Sequence, residues 1–338
     1  MKQTILITGG AGFIGSNFVP YFCRKYPDYF VLVLDKLTYA GNLDNLRECH
    51  GLNNYAFEQG DICDQELLNR IFASYDIRGV IHFAAESHVD NSISGPRAFI
   101  ETNVIGTFNL LQACYQYWME APNKPRKGFE TSRFHHISTD EVYGSLGKEG
   151  FFTETTAYAP NSPYSASKAS SDMLVRAYCH TYGLNVTTTN CSNNYGPKQH
   201  NEKLIPKTIF NCLHGLPIPV YGNGSNVRDW LYVMDHCKAI DLVFHQGKSG
   251  ETYNVGGGTE LDNLSLVKLI CQQLDKLIPR QDGQSYCDLI TFVADRAGHD
   301  FRYAIDSNKI SKELSWKPEY NFQTGILETI KWFLRQQL

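Results

Sequence analysis

The stretch TILITGGAGFIGSNF, residues 4–18, decides the fold of this chain. An apolar run at its start predicts a buried strand, and the glycines that follow predict a tight turn into a helix. Gly10, Gly12 and Gly15 fit the Gly-x-Gly-x-x-Gly fingerprint of dinucleotide-binding proteins, and counting from Gly9 gives its three-residue-spaced variant. In this motif the backbone N–H groups at the helix N-terminus bind a pyrophosphate. We therefore predict that the chain opens with a dinucleotide-binding unit.

A second apolar run supports this prediction. Residues 31–34 lead into Asp35, an acid that lies 20 residues beyond Gly15. In dinucleotide-binding folds an acid at that distance hydrogen-bonds the ribose hydroxyls of the adenosine. Asp35 would repel a 2′-phosphate, so the pattern favours NAD over NADP, although the adjacent Lys36 weakens that inference slightly. An ordinary glycine-rich turn with a helix-capping acid explains less of this pattern.

The bulk composition is that of a globular enzyme. Of the 338 residues 42% are apolar and 20% charged, and the formal net charge of −4 gives no reason to expect nucleic acid or an anionic membrane surface. No apolar stretch approaches the roughly 20 residues of a membrane span, and the early strand leaves no room for a signal peptide. The ten cysteines are scattered, which indicates reduced thiols in a cytoplasmic protein. No residue cluster has the spacing of a metal site.

Strand-like and helix-like segments alternate up to about Tyr195. This alternation predicts an α/β fold, a Rossmann-like doubly wound parallel sheet whose ligands bind at the carboxyl ends of its strands. Beyond Pro197 the units are shorter and richer in Pro and Gly, which predicts a smaller C-terminal α/β lobe. We expect residues 1–196, joined by part of 228–256, to form an NAD-binding domain and residues 197–338 to bind the substrate. The predicted strands are 4–8, 30–35, 55–59, 80–85, 134–139 and 186–190, the predicted helices include 65–74, 99–117, 165–182 and 323–334, and 118–131 is predicted to be an exposed loop.

Two short segments carry the chemistry. One places Tyr164 and Lys168 a single helical turn apart on one face. We expect the Lys168 ammonium to lower the pKa of the Tyr164 phenol, which would make the phenol a usable general base. The other segment places Thr139 before two adjacent acids, Asp140 and Glu141. Either pattern alone also occurs on solvated surfaces, but a protein that moves a hydride and expels water would need both.

Several other polar residues have two interpretations. Lys203, Arg228 and Arg296 lie in the second lobe and either form surface salt bridges or hold a second diphosphate, which matches the planar fork of Arg. His135 and His136 are neighbours in a predicted strand, where successive side chains face opposite ways. We therefore expect both histidines to be structural.

The chain also resembles the extended short-chain dehydrogenase/reductase superfamily nearly end to end, and within it the nucleotide-sugar 4,6-dehydratases. Residues 7–17, 35–42, 84–90, 190–197, 202–206, 228–233 and 295–300 carry this resemblance. Its most discriminating element is Thr139-Asp140-Glu141, because the sugar-nucleotide epimerases of the superfamily lack the Asp-Glu pair.

The resemblance implies a homodimer that uses NAD, internally recycled, to dehydrate dTDP-glucose to a 4-keto-6-deoxy product. UDP-glucose as the substrate, and to a lesser degree 4-epimerisation of a nucleotide sugar, remain alternatives, as does a silent NAD-sensing protein. By resemblance Tyr164 is the base for oxidation at carbon 4, Lys168 is its activator and Thr139 positions the 4-hydroxyl. Asp140 then protonates the departing 6-hydroxyl, and Glu141 removes the proton from carbon 5.

Other site residues follow from the motif and the resemblance together. The predicted cofactor-binding residues are Gly9, Gly12, Phe13, Ile14, Gly15, Asp35, Lys36, Leu37, Thr38, Asp61, Ile62, Phe83, Ala84, Ala85, Ser87, Thr102, Tyr164, Lys168 and Asn194. The predicted substrate-binding residues are Ser87, Thr139, Asn193, Lys203, Leu204, Pro219, Tyr221, Arg228, Asn263, Arg296 and His299. Lys198, Asn201 and Phe301 depart from the family pattern beside nucleotide-contacting segments, so they bear on the base preference.

Overall fold

The computed structural model of the chain describes residues 2–337, and side chains through residue 336, so the predicted domain ends at 1 and 338 lie outside it. Its strands are β1 (Thr4–Thr8), β2 (Phe30–Asp35), β3 (Tyr55–Gln59), β4 (Ile77–His82), β5 (Met119–Ala121), β6 (Lys124–Pro125), β7 (Arg133–Thr139), β8 (Val186–Cys191), β9 (Asn193–Tyr195), β10 (Ile218–Tyr221), β11 (Val227–Tyr232), β12 (Thr252–Val255), β13 (Glu260–Asp262) and β14 (Ile290–Val293). Its α-helices are α1 (Phe13–Lys25), α2 (Gln65–Ser74), α3 (Val89–Ser94), α4 (Arg97–Phe99), α5 (Thr107–Trp118), α6 (Pro163–Tyr182), α7 (Leu204–Leu213), α8 (Val233–Gln246), α9 (Asn263–Leu277), α10 (Asn308–Leu314) and α11 (Phe322–Gln337). A π-helical segment (Ile100–Gly106) joins α4 to α5, and 3₁₀ turns lie at Leu43–Cys49, Asp140–Tyr143 and Tyr286–Leu289.

Seven parallel strands form the large sheet, in the order β12-β8-β7-β4-β1-β2-β3. The predicted Rossmann-like doubly wound sheet is therefore confirmed. The strand order reverses between β1 and β4, which creates a crevice at their carboxyl ends. The glycine turn after β1 and the loop after β4 face each other across this crevice.

Both faces of the sheet are covered. In β1, Leu6 packs on the side of α2, α5 and α6, while Ile5 and Ile7 pack on the side of α1 and α8. Successive strand residues point to opposite faces, so a strand buried on both sides reads as a continuous apolar run. On α1, Phe18 and Phe22 are one turn apart and stack with ring centroids 5.1 Å apart. These packed layers hold the strand ends in fixed positions.

The C-terminal part of the chain builds a second core. β11 pairs with β9 and β13, β10 pairs with β14, and α7, α9 and α11 pack around them. β12 returns to the edge of the large sheet beside β8, and α8 packs against α1. None of the described helices is long and apolar enough to cross a lipid bilayer.

Three local predictions need correction. β4 spans Ile77–His82 rather than 80–85, because its pairing with β1 begins at Ile77 and residues 83–85 leave the sheet. The segment 118–131 is not an exposed loop throughout. Its first residue, Trp118, is fully buried with its indole Nε1 donating to the carbonyl of Ile77 (2.9 Å), and β5 and β6 pair after it. The polar composition of the segment concealed this buried anchor.

The predicted helix 99–117 is interrupted by the π-helical segment. There the carbonyl of Asn103 accepts hydrogen bonds from the hydroxyls of Thr107 (2.6 Å) and Ser171 (2.7 Å). The Asn103 side chain accepts from the backbone N–H of Glu86 (2.8 Å) and donates to the Glu86 carbonyl (3.0 Å). Such π turns often occur at functional sites. Here the turn ties the loop after β4 to α6, and both border the crevice.

Candidate active site

One cavity at the carboxyl ends of β1, β2, β4 and β7 gathers most of the predicted site residues. All five predicted catalytic residues line it, and so do all predicted cofactor-binding residues except Leu37, together with Asn193 and Lys203 of the predicted substrate set. Leu37 instead has a left-handed backbone (φ 57°) and donates its N–H to Asp35. Leu204, Pro219, Tyr221, Arg228, Asn263, Arg296 and His299 belong to the second lobe and do not line this cavity.

The glycine turn shows why the motif needs its glycines. Gly9 has φ 71°, and a Cβ there would lie 2.4 Å from the backbone N of Ala84. A Cβ on Gly15 would lie 2.4 Å from the carbonyl oxygen of Gly9. A Cβ on Gly12 would meet only that oxygen, at 3.4 Å. Gly9 and Gly15 are therefore required by packing, whereas Gly12 leaves open space at the N-terminus of α1, which no side chain caps.

Asp35 is held firmly at the end of β2. Its carboxylate accepts hydrogen bonds from the N–H groups of Ala11 (2.9 Å) and Leu37 (2.8 Å), one on each oxygen. A carboxylate has about four acceptor positions, so both oxygens keep capacity for ribose hydroxyls. Lys36 pairs with Asp61 at 2.7 Å, which removes much of its attraction for a 2′-phosphate.

The helix that carries Tyr164 and Lys168 starts at a defined point. Ser162 and Ser165 form a capping box around Pro163, which fixes the first turn of α6. Lys168 is buried, and its Nζ donates to the carbonyl of Ile137 in β7 (2.8 Å). The base and the cation therefore lie on the face of α6 that meets the sheet.

The Tyr164 phenol does not have the lowered pKa that the spacing of Tyr164 and Lys168 predicted. Burial and the nearby Glu141 carboxylate raise the pKa of the Tyr164 phenol well above its usual range, while a hydrogen bond with Thr139 opposes them. Burial also lowers the pKa of Lys168. Helical spacing alone could not reveal this, because it contains neither the desolvation of the phenol nor the charge of Glu141.

Asp140 and Glu141 lie in the 3₁₀ turn after β7. The turn begins at Thr139, whose hydroxyl accepts a hydrogen bond from the Glu141 N–H (3.3 Å). Burial, Glu141 and Asp229 raise the pKa of Asp140 well above its usual range. Burial also raises the pKa of Glu141, but the cations of Arg228 and Lys203 oppose that rise. Asp140 is therefore suited to give a proton and Glu141 to take one.

Two cations border the carboxylates, Arg228 buried and Lys203 partly buried. Lys203 Nζ donates to the carbonyl of Ser87 (2.9 Å). Arg228 donates to the carbonyls of Val227 (2.8 Å) and Asp300 (3.0 Å), and no described carboxylate lies within salt-bridge distance of it. A surface salt bridge is thus excluded for Arg228. Since a buried guanidinium normally has an anionic partner, its setting fits an anionic ligand.

Arg296 has a different environment. Its Nε lies 3.4 Å from a carboxylate oxygen of Asp90, and the Tyr221 hydroxyl donates to the other oxygen (3.4 Å). The guanidinium also lies over the Tyr221 ring, 5.0 Å from its centroid, and His299 pairs with Asp295 at 2.6 Å. This group connects the second lobe to α3, and the salt-bridge interpretation of Arg296 holds in this structure.

The departures from the family pattern have ordinary contacts. Lys198 donates to the carbonyls of Ser16 (3.0 Å) and Asn45 (2.9 Å) and pairs with Glu48 (3.1 Å). Lys198 and Asn201 line a second cavity, which adjoins the one described above and shares Ala40, Gly41, Gln199 and His200 with it. Phe301 is partly exposed, and its N–H donates to the Ser145 hydroxyl (2.9 Å).

Sequence reasoning missed two groups at the site. Gln199 and His200 line the cavity although nothing in their spacing pointed to it. His136, expected to be structural, contacts Lys168 (3.5 Å), and Asp172 lies 3.1 Å from the same His136 nitrogen. Asp172 could have been found, since it follows Lys168 by four residues and thus extends the helical face of Tyr164.

A Rossmann sheet with a Tyr and Lys pair at its carboxyl edge and a second lobe above it defines the extended short-chain dehydrogenase/reductases. The sequence model of one family, described as "GDP-mannose 4,6 dehydratase", matches residues 6–329. Two curated dTDP-glucose 4,6-dehydratases, from Shigella flexneri and Xanthomonas campestris pv. campestris, are each 55% identical to this chain, over 98% and 99% of its length and 92% and 94% of theirs. The chain belongs to the dTDP-glucose 4,6-dehydratase family.

Solved structures agree with this assignment. A dTDP-glucose 4,6-dehydratase from Streptomyces venezuelae, determined with NAD bound, is 45% identical, with a TM-score of 0.88 over 99% of this chain and 98% of its own. A UDP-glucose 4-epimerase from Thermotoga maritima also shares the fold, with a TM-score of 0.85 over 99% and 100% of the two chains, but is only 29% identical. The epimerase likeness shows that the fold alone does not select the reaction.

Proposed function

We propose that this chain dehydrates dTDP-glucose to dTDP-4-keto-6-deoxy-glucose and that its cavity holds NAD, which is reduced and reoxidised in each turnover. The observation that carries the proposal is the pair Asp140 and Glu141 beside Tyr164. A 4-epimerase needs one base, whereas a dehydratase also needs an acid and a second base. The names of the relatives support dTDP-glucose, and UDP-glucose remains the alternative substrate.

The residues of the first lobe fit NAD. The open backbone at Gly12 suits a pyrophosphate, and the carboxylate of Asp35 suits the two ribose hydroxyls. When bound, NAD would accept a hydride from carbon 4 and return it to carbon 6. The side chains of Tyr164, Lys168 and Thr139 would then orient the sugar, and Tyr164 would receive its 4-hydroxyl proton.

Oxidation at carbon 4 makes the later elimination possible. A ketone at carbon 4 acidifies the proton on carbon 5, which Glu141 removes. Asp140 gives its proton to the 6-hydroxyl oxygen, which leaves as water. Glu141 then returns a proton to carbon 5. Each general acid or base step of this kind contributes about 10²- to 10⁴-fold.

The site must also return its acid and its base to their starting protonation states after each turnover. After a turnover Tyr164 has gained a proton and Asp140 has lost one, so one proton must pass between them before the next cycle, directly or through solvent. The Thr139 hydroxyl donates to Asp140 (3.4 Å) and lies close to the Tyr164 phenol. Thr139 is therefore placed to relay this proton within the site.

The second lobe would bind the nucleotide diphosphate. The buried Arg228 and the partly buried Lys203 are cations near Glu141, and the region of Tyr221, Arg296 and His299 lies beside them. In this proposal residues 1–196, with part of 228–256, bind the cofactor and residues 197–338 bind the sugar nucleotide. The position of β12 in the large sheet supports that division.

We further propose a homodimer that resides in the cytoplasm. Four large apolar side chains are exposed on neighbouring helical segments, Ile100, Ile105 and Phe108 on the π segment and α5, and Met173 on α6. Such a face suits a second copy of the chain. All ten cysteines are free thiols, which suits a reducing compartment. Sedimentation of the wild type and of Phe108→Glu would test the dimer. The glutamate charge would be buried in the proposed interface, so the variant should dissociate into monomers.

One incubation tests the activity. Purified protein is given dTDP-glucose or UDP-glucose, and the 4-keto-6-deoxy product is measured, together with the nucleotide released by denaturing the protein. We expect product from dTDP-glucose in excess over UDP-glucose, and NAD rather than NADP in the released fraction. A 4-epimer without 4-keto-6-deoxy sugar would contradict the proposal.

A further inference from the structure

Behind Tyr164 lies a buried polar cluster of which the mechanism above uses only Lys168. Its other members are His136 and Asp172, and all three side chains are at most 6% exposed. Lys168 Nζ and a carboxylate oxygen of Asp172 approach the same nitrogen, Nε2 of His136, at 3.5 Å and 3.1 Å. The cluster therefore joins a cation and an anion across a neutral ring inside the protein.

The hydrogen bonds define the charge of each group. One oxygen of Asp172 accepts from the hydroxyls of Ser138 (2.8 Å) and Tyr158 (2.9 Å). The other oxygen lies 3.1 Å from His136 Nε2 without meeting the geometry of a hydrogen bond, and His136 Nδ1 has no partner among the described residues. An unpaired buried N–H is rarer than an unpaired acceptor, so the imidazole proton belongs on Nε2, on the side of the ring that Asp172 approaches. Burial raises the pKa of Asp172 to about 6, while Lys168 and the hydroxyls of Ser138 and Tyr158 oppose that rise, so the carboxyl group is ionised above that pH.

Lys168 needs such a carboxylate. Burial lowers its pKa, and Asp172 is the largest influence that raises it again. The other titratable groups around Lys168 are His82 on β4, Cys191 on β8 and Tyr164 on α6, with Asp140 and Glu141 close to Tyr164. Burial and neighbouring cations hold His82 and His136 neutral, and burial holds the Cys191 thiol protonated.

We propose that Asp172, oriented by His136, Ser138 and Tyr158, is a positioning residue that keeps Lys168 charged beneath the site. The inference rests on the role proposed above for Lys168 as the activator of Tyr164. On α6 the three residues Tyr164, Lys168 and Asp172 follow one another at single-turn spacing, so base, cation and counter-ion form one line along the helix.

The sign of a pH shift tests this inference. The variants Asp172→Asn and Tyr158→Phe are compared in a Glu141→Gln background, where the oxidation step is followed alone as reduced nicotinamide in a single turnover. Simply removing a negative charge would make Tyr164 easier to ionise and move the acid limb of the rate to lower pH. If Asp172 keeps Lys168 charged, removing the Asp172 carboxylate neutralises Lys168. Tyr164 is then harder to ionise, and the acid limb of the oxidation rate moves to higher pH by about one unit or more. Tyr158→Phe keeps the carboxyl group and removes only one of its two hydroxyl donors, so it should move the limb less than Asp172→Asn does.

A limb that stays or moves to lower pH in Asp172→Asn would overturn the inference. The stability of the folded protein gives a second, independent measurement. In a Lys168→Met background Asp172 would be a buried anion without its cation, so adding Asp172→Asn should raise the melting temperature there and lower it in the wild type. Equal effects in both backgrounds would show that Asp172 does not act through Lys168. An inactive wild type would instead contradict the proposed function.

Discussion

Asp140 and Glu141 are neighbours in one turn, yet their surroundings separate them. Asp140 is completely enclosed and lies near two other acids, whereas Glu141 faces the cations Arg228 and Lys203. Of two adjacent carboxyl groups, one can act as the general acid and the other as the general base only when their pKa values differ. Burial raises both pKa values, two further acids add to the rise at Asp140, and Arg228 and Lys203 of the second lobe oppose the rise at Glu141.

The first prediction separates the acid and base roles. Glu141→Gln should still oxidise carbon 4, since Tyr164 is intact, and then stop before elimination, so reduced nicotinamide should accumulate in a single turnover. Tyr164→Phe should form little of it. Steady-state turnover should fall at least about 100-fold in both variants. Glu149→Gln, which changes an exposed acid outside the cavity, serves as the control. Full turnover by Glu141→Gln would assign the carbon 5 proton to another group.

The second prediction concerns the stability that Asp140 costs. Because its pKa is raised in the folded protein, Asp140 opposes folding at any pH above its unfolded value near 4. Asp140→Asn should therefore stabilise the fold at neutral pH by on the order of 1 kcal/mol. The gain should vanish below about pH 4, where the carboxyl group is protonated in both states. Thermal unfolding across this pH range measures it, and a gain that persists in acid would point to packing instead.

The third prediction concerns Arg228. Since no described carboxylate neutralises it, we expect Arg228→Ala to raise KM for the sugar nucleotide ten- to a hundredfold, about 1.4 to 2.8 kcal/mol. NAD content should not change. Arg280→Ala is the control, because that guanidinium is paired with Asp282. Unaltered steady-state constants for Arg228→Ala would exclude it from the substrate site.

At the scale of elements, the glycines of the turn between β1 and α1 have two separable roles, one in stability and one in NAD binding. Gly15→Ala would place a Cβ 2.4 Å from the Gly9 carbonyl, so it should destabilise the protein by about 1–3 kcal/mol. A Cβ on Gly12 meets only ordinary contact distances, so Gly12→Ala should fold normally but lose NAD, because its methyl group would occupy the space for the pyrophosphate. Thermal melting and NAD content measure the two effects, and normal NAD content in Gly12→Ala would refute this division.

The elements also show how far sequence reasoning reaches. β1, β2, β3 and α2 have the predicted bounds, because apolar runs and capping residues define them locally. The π segment could not be predicted from local sequence, since its Asn103 carbonyl accepts a hydrogen bond from the hydroxyl of Ser171, a residue far along the chain. Trp118 was missed for a similar reason, because its buried partner is the Ile77 carbonyl on another strand.

The identity of the main site residues could be predicted from their spacing in the sequence. Their pKa values and buried partners could not, because these depend on burial. The residues Tyr164, Lys168, Asp140 and Glu141 meet in one cavity, as their motifs indicated. The direction of the Tyr164 pKa was wrong, because the phenol is desolvated next to Glu141. His136 was not recognised as a partner of Lys168, because only the packing of α6 on β7 brings the two together, whereas Asp172 lies one turn along the same helix and was overlooked.

At the scale of the whole molecule, the two lobes act on one reaction centre. The first lobe presents the cofactor turn and Tyr164, and the second brings the cations that face Glu141. A hydride taken from carbon 4 must remain in this enclosed space until carbon 6 is ready to receive it. Such retention distinguishes a dehydratase from an ordinary dehydrogenase, which releases its reduced cofactor.

The last prediction follows this hydride. Substrate carrying deuterium at carbon 4 should give product with that deuterium in its new methyl group, because the hydride is stored and returned within one site. Turnover of unlabelled substrate in heavy water should place deuterium at carbon 5, since the proton held by Glu141 can exchange with solvent. A mixture of labelled and unlabelled substrates bearing different carbon isotopes should show no exchange of the methyl label between sugars. Mass spectrometry and NMR of the product read all three outcomes. A methyl group without the carbon 4 deuterium would mean that the hydride is never transferred to carbon 6, and the dehydratase mechanism would have to be abandoned.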